Sequence, residues 1–173
     1  MRSYLCLDNR CYNTYIHRMP RNLRSEIKQT KPFGCIEEEA ALSIHRTAAV
    51  IEHKFAEALK PYGITGTQYN ALRILRGAGK AGLCRNEVRD RLVAQVPDVT
   101  RLLDRLEDAG FIERERSGSD RRQVATRITT KGLELLKSLD GPVIAMHKEQ
   151  LGHLSAKQLS SLTELLALAR DPV

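Results

Sequence analysis

A mainly α-helical fold carrying one small β-hairpin is what this sequence predicts, and three observations carry that expectation. Apolar residues recur at helical spacing through most of the chain after Ile36. Two short stretches, Phe111–Arg116 and Gln123–Ile128, instead alternate apolar and polar residues about a turn of Ser117, Gly118 and Ser119, as paired strands do. Gly110 stands just before the hairpin, a stop signal for the helix that precedes it. Aromatic residues make up only 5% of the chain against 42% hydrophobic, so the core must be aliphatic.

Taken in order, residues 1–34 are polar, basic and aperiodic, interrupted by Pro20 and Pro32. An irregular arm open to disorder is expected there, with a short helix near Leu23–Lys28. Met19 offers a second translation start. A helix begins at Ile36, where Glu37, Glu38 and Glu39 meet the positive end of its dipole. Ile44, Ala48, Ile51, Phe55 and Leu59 form its apolar stripe, and Pro61 and Gly63 end it. Thr65 and Gln68 make a capping box for a helix through Tyr69, Leu72, Ile74 and Leu75 to Gly77. Gly79–Gly82 is a loop.

A short helix over about Arg85–Val93 turns Val88 and Leu92 inward. The next helix is expected over Pro97–Ala109, with Pro97 in the first position and Val99, Leu102, Leu103 and Leu106 as its buried stripe. After the hairpin, Thr129 caps a helix carrying Leu133, Leu135, Leu136 and Leu139. Gly141 and Pro142 are expected to break or kink it before it continues to Leu151. Ser155 and Gln158 form a second capping box, for a last helix with Leu159, Leu162, Leu165, Leu166 and Leu168. There is no internal repeat.

The chain of 173 residues has a net charge of +7, unevenly distributed. Residues 1–34 hold seven basic and two acidic residues, whereas residues 85–127 hold ten and nine. Charge excess therefore argues little for the helix–hairpin segment. Its residue type argues more: all ten of its cations are arginine, whose planar fork suits guanine edges and phosphates.

Two short helices joined by a turn and followed by a hairpin make a helix-turn-helix with a wing. The second helix presents Asp98, Thr100, Arg101, Asp104 and Arg105 on its polar side. Asp98 and Arg101 lie near its N-terminal end, where bases are read, and Arg105 one turn further on suits phosphate. Asp98 could also accept from cytosine N4. Asp120, Arg121 and Arg122 sit at the hairpin tip, from which arginine can enter a narrow minor groove. The bland alternative is a solvated, salt-bridged helix face beside a solubilising loop.

The run from Asn86 to Leu92 followed by PDVTRLLDRLEDAGFIERERSGSDRRQVATRITTKG resembles the MarR family of bacterial transcription regulators. The likeness follows the element order over residues 36–170 and is densest from Glu87 to Gly132. It implies a winged helix-turn-helix DNA-binding domain over 65–128 and a helical dimerisation domain from 36–60 and 130–170. A homodimer on double-stranded DNA follows, with a pseudo-palindromic operator whose half-sites lie about one helical turn, ~34 Å, apart. By the same resemblance Thr100, Arg101 and Arg105 contact the major groove, Asp120 braces the wing, and Arg121 or Arg122 enters the minor groove. It also implies a small-molecule effector pocket near the first helices, where His53, Tyr62 and Tyr69 are the candidates, and a repressor relieved by that effector. Gln95 and Asp98 depart from the family's usual Ser or Thr, and the N-terminal arm is longer than is common.

Other classes are poorly supported. No nucleophile–base pattern or paired-carboxylate motif points to an enzyme. GAGK at Gly77–Lys80 lacks phosphate-loop spacing, and no cofactor motif appears. His45 and His53 share a helix but lack further metal ligands. Cys6, Cys11, Cys35 and Cys84 show no CxxC spacing. Cys35, just before a helix, is the candidate for a redox-sensing regulator, although the acidic run after it opposes a reactive thiolate. Cys84 reads as a small core residue. No membrane partner and a cytoplasmic location are expected. The remaining alternative is a protein–protein interaction module that uses a winged helix without DNA.

Overall fold

The computed structural model describes residues 22–116 and 124–171. The wing-tip residues Asp120, Arg121 and Arg122 and most of the basic arm lie outside the described residues. The chain forms two compact units, Met1–Arg46 and Thr47–Val173.

In the first unit, α1 (Leu23–Glu26) is one turn capped by Asn22, whose Oδ1 accepts from the Ser25 amide at 2.9 Å. It stops short of Lys28, which takes a left-handed φ of 54° that a helix cannot accommodate. α2 (Ile36–Leu59) starts where the acidic run predicts, and from Thr47 onward it belongs to the second unit. Its apolar stripe is satisfied only toward its C-terminal end: Leu59 is fully buried and Phe55 partly, while Ile44 remains 44% exposed and Ala48 is also exposed.

In the second unit, α3 (Gly66–Ala78) opens on the expected capping box: Thr65 Oγ1 accepts from the Gln68 amide, and Gln68 Oε1 accepts from the Thr65 amide at 2.8 Å. α4 (Arg85–Arg91) and α5 (Val99–Asp108) follow, then β1 (Ile112–Arg116) and β2 (Val124–Ile128). The strands pair antiparallel, with Ile112 opposite Ile128 and Arg114 opposite Thr126. Leu83 joins them as a one-residue third strand: its amide donates to Thr126 O at 3.0 Å and its carbonyl accepts from the Thr126 amide at 2.8 Å. Gly82 makes this approach feasible. Its φ is +69°, and a Cβ there would stand 2.8 Å from the Thr126 carbonyl oxygen.

α6 (Thr130–Leu151) runs unbroken through Gly141 and Pro142, so the expected break is absent. Its buried positions, Gly132, Leu136, Leu139, Val143 and Met146, alternate steps of four and three residues and keep one seam facing the core. Leu133, expected inside, is 43% exposed. α7 (Ala156–Arg170) opens on the Ser155–Gln158 capping box but buries no residue at all. The core of this unit joins Leu59, Leu72, Leu75, Val88, Leu103, Leu106, Leu136 and Leu139, each at or near zero exposure. All are aliphatic, as the low aromatic content requires.

Candidate nucleic-acid interface

α5 is the element on which the site depends, and both its ends are closed within the chain. Its start is Val99 rather than Pro97, because Asp98 takes the cap position: Asp98 Oδ1 accepts from the Arg101 amide at 2.9 Å. Asp98, read from sequence as a base contact, thus commits one carboxylate oxygen to its own helix. At the far end the Gly110 amide donates to Glu107 O at 2.7 Å and the Phe111 amide to Leu106 O at 2.9 Å. With Gly110 at φ +74°, this is a Schellman closure. Val99, Leu102, Leu103 and Leu106 are all buried, so the amphipathic stripe docks as the spacing predicts.

The first turn of α6 then secures that closure. Thr129 Oγ1 donates to Gly110 O and Lys131 Nζ to Ala109 O, each at 2.8 Å, while the Lys131 ammonium lies 5.1 Å from the centre of the Phe111 ring. A Cβ on Gly132 would stand 2.7 Å from Ile128 Cγ1, so only glycine allows α6 to sit this close to the hairpin base. Arg76 of α3 and Asp140 of α6 add a bidentate ion pair at 3.0–3.1 Å.

Arg114 of β1 pins the hairpin to α5. Its Nη2 meets Asp104 Oδ1 at 2.6 Å, its Nε meets Glu107 Oε2 at 2.8 Å, and Nη2 also bonds Glu107. The Arg114 hydrogen bond holds the Glu107 carboxyl below its usual range, and the same pairing raises Arg114. Asp104 therefore braces the wing rather than facing a partner. Arg127 likewise pairs with Glu115 and donates to Lys80 O at 2.8 Å. On α4, Arg89 pairs with Asp90 and Arg91 with Glu87. The Cys84 amide donates to Glu87 at 2.8 Å, and that bond keeps the Glu87 carboxyl low.

With these pairs made, few exposed cations remain on this face. Arg101 and Arg105 are exposed, and among the described residues neither has an acidic partner. Thr100 is exposed beside them, its hydroxyl accepting from Arg85 Nη1 at 3.2 Å. Arg85 went unnoticed in the sequence. The signal that could have found it is a cation in the first turn of α4, where the dipole disfavours positive charge. Arg85, Thr100, Leu103, Arg114 and Val124 line an open cleft of about 740 Å³ between α4, α5 and the hairpin.

The effector candidates are scattered. His53 is exposed, 3.6 Å from Glu57, and lines an open cleft of about 430 Å³ with Lys60, Ile64 and Thr65. Tyr69 is 5% exposed and packs edge-on against Phe55 with ring centres 5.4 Å apart. Tyr62 is half-buried against the same core. Neither tyrosine lines the His53 cleft. Cys35 is an exposed thiol, and Cys84, expected in the core, is half-buried at the start of α4. Among the described residues no cluster of His, Cys, Asp and Glu could hold a metal, and no helix is long and apolar enough to cross a membrane.

Two helices and a turn, backed by a hairpin clamped to the second helix, define a winged helix-turn-helix of the kind found in transcription regulators. Residues 62–123 match the model of the MarR family. The chain is 39% identical to a MarR transcription factor from Planctomyces limnophilus, covering 79% of this chain and 99% of that one with a TM-score of 0.62. It is 27% identical to a mutant MarR from E. coli solved with operator DNA, covering 86% and 99% with a TM-score of 0.69. The Transcriptional repressor MprA of Escherichia coli is 29% identical over 72% of this chain and 76% of its own length. This chain belongs to the MarR family of transcriptional regulators.

Proposed function

We propose that this regulator is a homodimeric repressor that binds a pseudo-palindromic operator and releases it when a small molecule binds. The observation that carries the DNA reading is the sorting of arginines. Arg89, Arg91, Arg114 and Arg127 are consumed by neighbouring carboxylates, whereas Arg101 and Arg105 have no acidic partner among the described residues and lie on the exposed side of α5. A merely solvated salt-bridged face would pair these two with Asp104 and Asp108, which lie within one turn. In this reading Thr100, Arg101 and Arg105 enter the major groove, Asp98 orients the helix start, and Asp120, Arg121 and Arg122 serve the wing. Residues 65–128 form the DNA-binding domain.

Dimerisation through 36–60 and 130–170 is supported by apolar surface that the single chain leaves open. Leu165 and Leu168 of α7 are 64% and 71% exposed, Ile144 of α6 is 55% exposed, and α7 buries nothing. A second copy would cover such a surface. The repressor role is favoured by the name of the MprA relative. The effector is assigned to the surroundings of His53, while Tyr62 and Tyr69, the other two candidates, pack with the core.

The test is fluorescence anisotropy on a duplex selected by the protein from a random-sequence pool, at several salt concentrations. Affinity is expected to fall steeply as salt rises. Arg101→Ala should weaken binding by about 1–3 kcal/mol and relax base preference. Binding indifferent to salt and to both Arg101→Ala and Arg105→Ala would instead favour a protein–protein module.

A further inference from the structure

We propose that Arg85 is a further DNA-binding residue of this regulator, one that grips a backbone phosphate and holds the Thr100 hydroxyl in place. The inference rests on the DNA-binding reading and adds a residue outside α5 and the wing. Arg85 is exposed at the first position of α4 and has no carboxylate partner among the described residues. A cation there works against the partial positive charge of the helix start, so it does not serve the stability of α4. The other two arginines of α4 are both ion-paired.

The guanidinium of Arg85 reaches across to α5, donating from Nη1 to Thr100 Oγ1 at 3.2 Å. A threonine hydroxyl has one proton to give and two lone pairs. With one lone pair held by Arg85, the hydroxyl retains its proton and a single lone pair. Thr100 then keeps its proton for a phosphate oxygen, purine N7 or thymine O4, and has one lone pair rather than two for the amino group of cytosine or adenine. Arg85 keeps its remaining N–H groups for a phosphate in the same neighbourhood. In helix-turn-helix proteins the first helix of the pair crosses the backbone, which is where Arg85 stands relative to Thr100. The two residues line the same cleft.

The experiment uses the full chain and the selected duplex described above, with Arg85→Ala, Arg85→Lys, Thr100→Val and the Arg85→Ala/Thr100→Val double variant. Arg85→Ala is expected to weaken binding about tenfold at low salt. It should also flatten the slope of log K against log salt by about 0.9 for each phosphate that Arg85 neutralises. Arg85→Lys should recover the slope but not the full affinity, because an ammonium keeps the charge and loses the fork. The double variant should lose less than the product of the two single losses, since the residues act together. The thermal midpoint of Arg85→Ala should not fall. If Arg101→Ala loses affinity while Arg85→Ala retains wild-type affinity and slope, the Arg85 proposal fails and the DNA reading stands. A wild-type protein whose binding ignores salt overturns both.

Discussion

α5 and α7 are amphipathic helices of similar make, yet the chain treats them oppositely. α5 buries its whole leucine and valine stripe, and its two ends are closed by Asp98 and by Gly110 with the first turn of α6. α7 is opened by an equally good capping box and buries nothing, leaving Leu165 and Leu168 mostly in solvent. Local signals make both helices, but only α5 finds its apolar partners within the chain. The difference teaches that the winged helix is complete as a single copy, while the C-terminal helix leaves its apolar side open, as the proposed dimer requires.

The largest expected effect breaks the complete half. Leu106→Ala removes a side chain of 0% exposure from the core and should cost about 3 kcal/mol in urea unfolding, independent of protein concentration. Leu165→Glu tests the incomplete half. It should raise the dimer dissociation constant about 100-fold in sedimentation equilibrium and lower the thermal midpoint in a concentration-dependent way. A Leu165→Glu protein with an unchanged dimer would remove α7 from the interface. The smallest effect probes the clamp between hairpin and α5. Arg114 holds the Glu107 carboxyl below the ordinary carboxylate range. The stabilisation from this pair is therefore fully present above that range and is lost as pH falls through the lowered value. Glu107→Gln should lower stability by about 0.2–1 kcal/mol at neutral pH, and its gap to wild type should close in acid. A gap of constant size from neutral pH into strong acid would mean the clamp is not electrostatic.

Elements whose signals are local were legible in the sequence. Thr65 with Gln68 and Ser155 with Gln158 formed the boxes their spacing announces, and Gly110 ended α5. Position by position the reading was weaker where two local rules compete. Pro97 suits a first helical position and Asp98 suits a cap, and the cap won because its carboxylate satisfies an otherwise unpaired amide. Pro142 lacks the amide of a normal helical residue, yet α6 continues because its buried seam runs through Leu139, Val143 and Met146 on both sides of it. What stayed hidden was tertiary. No spacing rule joins Arg114 to Asp104, Arg76 to Asp140 or Arg85 to Thr100, because each pair meets only after separate elements have docked. For the same reason the lack of an acidic partner for Arg101 and Arg105 among the described residues could not be told from the bulk charge balance.

The bonds from Lys131 and Thr129 to the Ala109 and Gly110 carbonyls, just past the end of α5, tie that helix to the start of α6. α6 has 22 residues and so extends about 33 Å from the joint. Tilting such a lever at its distant end is expected to swing α5 at the near one. Substitutions that alter operator choice should accordingly turn up along its whole length, on surface that never meets a nucleotide.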